Sequence, residues 1–449
     1  MAIQSSEGKY WAERFAKIEV LEKRTADRVI KELNAEYSKT LEALEKDITY
    51  WYNRLALNNN ITGPDALKEA KKLLTAAELK EFKWTVEEYI KHASDSETAV
   101  KFAREIENAS ARAHINRLEA IKLQTAMHVD YLTAVQTSMV IKMIGDVFTD
   151  SFYRAAYEMQ RAAGMFQPFQ TIDVYAVKQA IEKPWSADGV GYSTRIWRNQ
   201  EALKIRLDNE LTQNIIRGQS PKKLITGFTE EFGVSRHQAA RLIQTERAAA
   251  ASRANYDSYR ATETEYYVIV ATLDLKTSEI CQDIDGRVFR IEDYVIGSTA
   301  PPFHPFCRST TAPYYEGEEL TGSRIYRDAE GNSQYTDEYV TYKEWKEKYV
   351  DNAVVYELDS VQTSNGITVS GVSKHALDQA FNRKVSANEM KEALTNPLKV
   401  GIIKYKNNMP GQEFIGKRAR VIINPDTGNV ITTWKTSTKL RGKLENNKL

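Results

Sequence analysis

The chain has 449 residues, which is long for a single hydrophobic core and predicts two or three domains. Its 62 basic and 61 acidic residues nearly cancel, so the overall charge favours neither nucleic acid nor a membrane surface as a partner. Two cysteines are too few for a disulfide framework, and neither a secretory signal nor an apolar run of about 20 residues is evident. We therefore expect a soluble protein, made in a reducing cytosol, with no membrane span.

Residues 1–170 are predicted to form an elongated helical region. Apolar residues between Ile30 and Leu55 recur every three or four positions, which places a narrow stripe along one long helix. Such a stripe is typical of a coiled coil or of a helix that lies on a partner. A helix packed within its own bundle gives the same pattern, and the sequence favours neither alternative.

Breaks and caps divide this region further. The stretch 58–64 contains Asn, Gly and Pro residues that predict the end of the first helix. Thr75 and Glu78 predict a capping box, in which each side chain accepts a hydrogen bond from the backbone of the other residue. Two longer helices are expected, over about residues 97–145 and about residues 148–163.

Residues 171–315 are predicted to form a small α+β domain. Ser220 and Pro221 predict the start of a helix. Gly233 predicts its end, and Ser235 predicts the cap of a second helix. Runs of β-branched and aromatic residues then predict short strands near 266–271, 287–289 and 309–312.

The second of these helices carries charged residues beside small ones. Glu246 is predicted to form an ion pair with a neighbouring arginine, Arg241 or Arg247, rather than to belong to a catalytic set. The alanines at 248–251 allow close approach of another helix, so we expect them to be buried.

Both cysteines and one of the six histidines lie in one Pro- and Asp-rich stretch. Cys281, His304 and Cys307 are residue types that bind zinc, and the His-x-x-Cys spacing puts two donors on one tight loop. A structural zinc site usually has four ligands, so Asp283 or Asp285 would have to complete it. The alternative is two buried free thiols and a histidine bonded to the backbone. A disulfide and a catalytic Cys-His pair are less favoured.

The same stretch resembles a family signature. The stretch contains, in order, an Asp, Thr277-Ser278 with the nearby Cys281, Asp285-Gly286, and Pro-Pro-Phe-His-Pro-x-Cys-Arg-Ser. In this pattern it resembles the Mu F-like minor head proteins of tailed phages. The resemblance covers about residues 10–315. Three shorter motifs support it: Lys183-Pro184-Trp185-Ser186, Ile216-Arg217-Gly218-Gln219-Ser220-Pro221 and Gln244-Thr245-Glu246.

The resemblance implies a minor component of the procapsid that associates with the portal protein and assists head assembly or DNA delivery. It implies a location in the virion, in the capsid interior or portal region, with the host cytoplasm as the site of assembly. Other procapsid components and packaged DNA are the further partners that it implies. Many relatives have Cys-Arg-Cys where this chain has Cys307-Arg308-Ser309, so one thiol is missing and a metal is less expected here.

Two further segments follow this domain. Residues 316–370 are polar and predict a linker with one helix, at about 341–350. Residues 371–449 predict a separate α+β domain with two helices and a four-stranded antiparallel sheet. A Ser386–Glu389 capping box begins the second helix, and Asn-Pro-Asp-Thr-Gly predicts a hairpin turn before the last strand.

This last domain resembles phage-borne nuclease modules of the barnase–EndoU–colicin–RelE fold. The resemblance lies in the segment that starts at Ser373, in the helix and strand order, and in the terminal run Val-Ile-Thr-Thr-Trp-Lys-Thr. It implies metal-independent RNA cleavage, which needs a base, an acid and cations on the phosphate. His375 is the candidate base or acid. The candidate phosphate contacts are Arg383, Lys404, Arg418, Arg420 and Lys435, with Thr432, Thr433 and Thr436 holding phosphate oxygens.

These observations leave three hypotheses. The leading one is a phage minor head protein that carries an extra domain, and the second is a toxin-like ribonuclease that the particle delivers to an RNA substrate. The third is a structural binding module stabilised by a zinc ion, with no other cofactor expected. In the alternative to the nuclease, His375 packs near a helix start and the basic residues only solvate a small sheet.

Overall fold

The computed structural model describes residues 8–54, 63–82, 115–163, 172, 174–316, 323–327, 333–336, 339–347, 352–383, 385–406 and 409–446. The chain divides into two compact units. The helical unit comprises residues 17–267 and 289–315, and the C-terminal unit comprises residues 1–16, 268–288 and 316–449. Within the described residues, every helix is too short or too polar to cross a membrane.

Several helices precede the first strand in the described residues, and residues 76–82 are also helical. Six of these helices are numbered in chain order. They are α1 (Gly8–Arg54), α2 (Gly63–Ala70), α3 (Arg117–Ala163), α4 (Val174–Glu182), α5 (Tyr192–Ile216) and α6 (Pro221–Ala261). Helices α3, α5 and α6 pack on one another in the helical unit. The predicted capping box is present before residues 76–82, since Thr75 N donates to Glu78 Oε2 at 2.8 Å and Glu78 N donates to Thr75 Oγ1 at 3.3 Å.

The apolar stripe of α1 belongs to the core of this unit. Its buried members in the core are Leu33, Tyr37, Leu44, Ile48 and Trp51. They pack with buried residues of α2, α3, α5 and α6, so α1 is a helix of its own bundle. Of the two alternatives left open by the sequence, the described residues confirm this one.

Two predicted helix ends are wrong. Helix α6 continues through Gly233 and Ser235, because Ser235 is buried and its hydroxyl bonds to the hydroxyl of Tyr37 at 2.9 Å instead of capping a new helix. Gly145 lies inside the continuous helix α3. A Cβ there would lie 3.7 Å from Ile181 on α4, so the glycine is in a packed interface that offsets its low helix propensity. The predicted start near residue 97 and the predicted break at 58–62 lie outside the described residues.

The predicted strands after α6 are present. They are β1 (Tyr266–Val270), β2 (Val288–Arg290) and β3 (Thr310–Tyr314), in the sheet order β2-β1-β3. A short helix, α7 (Glu279–Ile284), follows β1, and a single 3₁₀ turn at Ile291–Asp293 follows β2.

The segment predicted as a linker contains regular structure. Strands β4 (Ile325–Arg327) and β5 (Ser333–Tyr335) form a hairpin, and helices α8 (Tyr342–Trp345) and α9 (Asn352–Leu358) follow. Two helices therefore lie where the sequence predicted one. Tyr342 and Trp345 are buried with Leu273 and Val340, and this apolar cluster is the reason that the polar segment folds.

The last part of the chain is an α+β arrangement, as predicted, but it has three helices among the described residues where the sequence predicted two. Its elements are β6 (Gly371–Val372), α10 (Lys374–Asn382), α11 (Ala387–Thr395), β7 (Lys399–Val400), β8 (Lys404–Lys406), β9 (Met409–Ile415), β10 (Ala419–Ile423), β11 (Asn429–Lys435) and α12 (Thr438–Asn446). The predicted hairpin joins β10 to β11, and the Ser386–Glu389 capping box is formed.

The predicted four-stranded antiparallel sheet is wrong in strand number and direction. The sheet has six strands in the order β6-β11-β10-β9-β7, with β8 paired to β9, and β6 runs parallel to β11. Strand β6 has two residues, which is too short for a repeating apolar pattern, and the single strand that the sequence predicts at 398–405 is divided into β7 and β8. Helices α10 and α11 pack on β11 and β10 and cover the buried side chains of Phe414, Val421 and Val430.

Candidate functional site

The loop between α4 and α5 is bonded to the middle of α6. Trp185 Nε1 donates a hydrogen bond to Glu246 Oε2 at 2.9 Å. The loop itself is held by Asp188, which accepts from Ser186 Oγ at 2.7 Å and from Arg195 Nη2 at 2.7 Å. Trp185 and Glu246 belong to two separate motifs of the sequence resemblance, so the structure brings these motifs together.

The predicted ion pair between Glu246 and a neighbouring arginine is absent from the described residues. Adjacent residues of a helix point in different directions, so Glu246 faces Trp185 while Arg247 faces α1. Glu246 is 6% exposed, and burial raises its pKa to about 7, although the bond from Trp185 opposes the shift. A buried carboxyl that titrates near neutrality is therefore present in the Gln-Thr-Glu motif.

Arg247 lies at the centre of a buried ionic cluster. Its Nη2 lies 3.1 Å from Glu19 Oε1 and its Nη1 lies 3.5 Å from Glu22 Oε2. Glu22 also accepts a hydrogen bond of 2.6 Å from Ser151 Oγ on α3. Two carboxylates thus share one guanidinium, and burial raises the pKa of both, that of Glu22 to about 7.

The same turn of α6 holds the loop at residues 301–307, which we call the His-Pro loop. Arg247 Nη2 donates to the carbonyl oxygen of Cys307 at 3.4 Å, and Phe306 N donates to Thr245 Oγ1 at 3.3 Å. Within the loop, Cys307 N donates to the His304 carbonyl at 3.1 Å, and His304 Nδ1 lies 2.8 Å from the Pro305 carbonyl. The backbone of this loop is therefore fixed by the residues that surround Glu246.

The three predicted metal-binding residues lie on two segments of the chain. Cys281 is buried on α7, which belongs to the C-terminal unit, whereas His304 and Cys307 lie in the His-Pro loop of the helical unit. The two cysteines do not form the disulfide that the sequence left as a less favoured alternative. A hydrogen bond with Cys307 raises the pKa of His304, although burial opposes this shift.

Neither aspartate considered as a fourth ligand is available. Asp285 is buried and accepts from Arg324 Nη1 at 2.6 Å, from Ala271 N at 2.7 Å and from Tyr342 N at 2.7 Å. Asp283 is exposed and pairs with Lys343 at 3.4 Å. Arg324 was not identified from sequence patterns, because it lies 39 residues from Asp285 in the segment predicted as a linker.

Two cavities flank the contact between Trp185 and Glu246. The larger, of about 590 Å³, is also lined by Arg195, Arg198 and Arg241. The smaller, of about 300 Å³, is lined on its other sides by residues that include Lys183, Arg253, Tyr256 and Tyr294. Both volumes are within the range of small-ligand pockets. Sequence reasoning did not identify Arg195 and Arg198 as cavity residues, since helical spacing alone does not reveal which face borders a cavity.

The predicted nuclease residues are only partly grouped. Arg383 and Arg420 lie on Trp434, at 4.9 Å and 5.5 Å from its ring centre. Arg383 Nη1 donates to the Thr433 carbonyl at 2.6 Å, and Thr433 Oγ1 donates to the Arg420 carbonyl at 2.9 Å. Arg420 Nε also donates to Glu413 at 2.8 Å.

The remaining predicted residues lie around this group or apart from it. Lys435 pairs with Glu389 at 2.5 Å, and Thr436 Oγ1 donates to the Gly416 carbonyl at 2.8 Å. Thr432 Oγ1 is buried without a hydrogen-bond partner among the described residues. His375, Lys404 and Arg418 are exposed. Among the described residues, the side chain of His375 makes no hydrogen bond or ion pair with the other predicted nuclease residues.

Residues 206–312 match the family model described as phage Mu protein F like protein. This match supports a Mu F-like phage protein, and the family suggests a role related to the phage head. The matched segment contains Glu246, Arg247, Cys281, His304 and Cys307. It does not extend to residues 371–449, so the comparisons give no support to the resemblance with nuclease modules. No curated protein and no solved structure matched the chain.

The Arg247 cluster gives a direct prediction about stability. Arg247→Met should lower the free energy of unfolding by roughly 3–5 kcal/mol, because Glu19 and Glu22 stay buried without their guanidinium. Arg154→Met is the matched control, since Arg154 makes an exposed pair with Asp150 on α3, and it should cost at most about 1 kcal/mol. Denaturant unfolding of the three proteins measures the difference. Equal losses in both variants would contradict a central role for Arg247.

Proposed function

We propose that this protein is a phage minor head protein that is incorporated into the procapsid near the portal and assists head assembly or DNA delivery. The observation that carries the proposal is the packing of separate signature motifs around one turn of α6. Trp185 bonds to Glu246, Thr245 bonds to the His-Pro loop, and Arg247 bonds to Cys307. The match of residues 206–312 to the Mu F-like family supports the same role.

The arrangement fits a structural role better than a catalytic one. Arg247 makes buried contacts with α1 and with the His-Pro loop, and Glu246 accepts a hydrogen bond from Trp185. Such contacts hold a loop in one conformation, which is what a docking surface inside a shell requires. The proposed location is the virion, and the proposed partners are the portal protein, other procapsid components and packaged DNA.

The proposal predicts that the protein sediments with particles. Procapsids and mature virions of the encoding phage, purified on gradients, should contain it, and it should bind the isolated portal protein. Arg247→Met should reduce incorporation because it disturbs the motif contacts, whereas Arg154→Met should not. Quantitative mass spectrometry of the gradient fractions measures both effects. Recovery of the protein only in the free cytoplasmic fraction would contradict the proposal.

We also propose that Cys281, His304 and Cys307 hold a structural zinc ion. Their residue types suit zinc, and the His-x-x-Cys spacing puts two of the donors on one tight loop. Asp285 is bonded to Arg324, so it does not supply a fourth ligand. When bound, zinc would fix the loop that contains His304 and Cys307, and it would supply no step of a reaction.

The zinc proposal predicts about one zinc per chain when the purified protein is analysed for metals. Cys307→Ser should abolish this zinc because it removes a thiolate ligand. His237→Ala is the control, since His237 is exposed and lies outside the group, and it should retain the metal. Much less than one zinc in the unmodified protein, after expression with zinc present, would contradict the proposal.

RNA cleavage by the last domain is the second candidate function. The observation that favours it is the group formed by Arg383, Thr433, Trp434 and Arg420, which places two predicted phosphate-binding cations beside one aromatic ring. In this proposal His375 acts as the base or acid, and Lys404, Thr432 and Lys435 complete the phosphate contacts. No cofactor is required for this chemistry.

The nuclease proposal predicts that the full-length protein degrades RNA in the presence of a metal chelator. His375→Gln should lower the rate at least about 100-fold, because the loss of a general acid or base typically costs that much. His237→Gln is the matched control and should retain the full rate. Release of fragments from labelled RNA is the measurement. Equal rates in the unmodified and His375→Gln proteins would show that His375 has no such role.

A further inference from the structure

The larger cavity of the helical unit is lined by arginines to which the proposed function assigns no role. Arg198 on α5 and Arg241 on α6 both line it, and both side chains are exposed. Neither guanidinium has a hydrogen-bond, ion-pair or ring partner among the described residues. By contrast, Arg195, which also lines the cavity, is held by Asp188. Two cations that face one cavity without partners favour an anionic ligand.

The one acidic group of the cavity opposes an anion only weakly. Glu246 is the carboxyl that lines the cavity, and one of its oxygens accepts a hydrogen bond from Trp185 Nε1. Burial raises its pKa to about 7, so a large fraction of this carboxyl is uncharged at neutral pH. The cavity therefore carries a net positive charge.

The remaining walls indicate what kind of anion fits. Pro302, Phe303 and Pro305 supply apolar surface on one side, and Asn199 and Gln238 supply polar groups on another. The Oε1 atom of Gln238 is buried without a hydrogen-bond partner among the described residues, so an acceptor is available for a backbone amide of a ligand. A cavity of about 590 Å³ holds a short peptide segment, whereas duplex DNA requires a broad basic surface.

We propose that this cavity binds an acidic peptide segment of a partner protein, with Arg198 and Arg241 pairing with its carboxylates. Arginine suits this role because its planar fork binds a carboxylate through two parallel hydrogen bonds. The apolar walls accommodate a hydrophobic side chain next to the acidic ones. The proposal deepens the proposed function, on which it rests only in identifying the partner as a component of the phage head.

The test uses the full-length protein and a fluorescein-labelled hexapeptide of four glutamates and two leucines. Fluorescence anisotropy should show saturable binding, and the same peptide with glutamine in place of glutamate should not bind. The double variant Arg198→Gln/Arg241→Gln should bind at least about tenfold more weakly, because two charged hydrogen-bonding groups are lost. Both side chains are exposed, so thermal unfolding should be unchanged.

The matched control is Arg217→Gln/Lys223→Gln. Both residues are exposed and lie on the same two helices or at their ends. Their substitution removes the same net charge as the first double variant does, but outside the cavity. This control should bind the acidic peptide like the unmodified protein. Equal weakening in both double variants would mean general charge attraction and would overturn the proposal.

A second probe separates a peptide from a nucleic acid. Labelled single-stranded hexathymidine should bind poorly and should not displace the acidic peptide. Tight binding of hexathymidine that depends on Arg198 and Arg241, without binding of the peptide, would overturn the proposal in favour of a nucleic-acid site. Both binding measurements use the isolated protein. Absence of the protein from virions would therefore contradict the proposed function without changing the result for the peptide.

Discussion

The helical unit depends on one buried guanidinium, that of Arg247. Transfer of charged groups out of water is costly, and the cost is recovered only when the charges meet good partners. Arg247 meets two carboxylates of α1 and the carbonyl oxygen of Cys307, and Ser151 of α3 completes the shell of Glu22. One side chain of α6 therefore fixes two other helices and the His-Pro loop. The small residues at 248–251 are buried beside it and let neighbouring segments come close.

The Arg247 cluster and the ion pair between Asp285 and Arg324 differ in the ratio of carboxylates to guanidinium groups. In the C-terminal unit, one carboxylate, Asp285, meets one guanidinium, Arg324, and the remaining atoms of both groups bond to backbone atoms of residues 271, 340 and 342. That network is neutral and well satisfied, which suits a purely structural role. Around Arg247 two buried carboxylates share one guanidinium, and burial, with a smaller contribution from the neighbouring Glu19, raises the pKa of Glu22.

The sequence predicted the local features of the fold well. Capping boxes at Thr75 and Ser386, the strands near 266 and 310, and the β10–β11 hairpin depend on residues a few positions apart, and each is present. The errors have a common cause. Gly145 and Ser235 look like helix ends, yet their tertiary partners on α4 and α1 outweigh the local preference.

The difference between local patterns, which the sequence reveals, and distant contacts, which it does not, also applies to the candidate site. The motif residues were identified from the sequence, but their partners were not, because Glu246 and Trp185 lie 61 residues apart and Arg247 and Cys307 lie 60 apart. A pattern of charges on one helix does not reveal which helix faces it. The grouping of the three zinc-type residues depends on a pair of thiols and a histidine in one stretch of sequence, and it stays a prediction.

The basic residues of the last domain and those of the larger cavity differ in whether they are already paired with a carboxylate. Arg420 and Lys435 of the last domain are bonded to Glu413 and Glu389, so a phosphate that bound there would have to displace a carboxylate. Arg198 and Arg241 have no such partner among the described residues, so an anion in their cavity gains their charge at a smaller cost of rearrangement. Recognition of an anion is therefore physically easier at the cavity of the helical unit than on the terminal sheet. This difference comes from the pairing of the side chains and not from their number, and a count of basic residues in the sequence cannot reveal it.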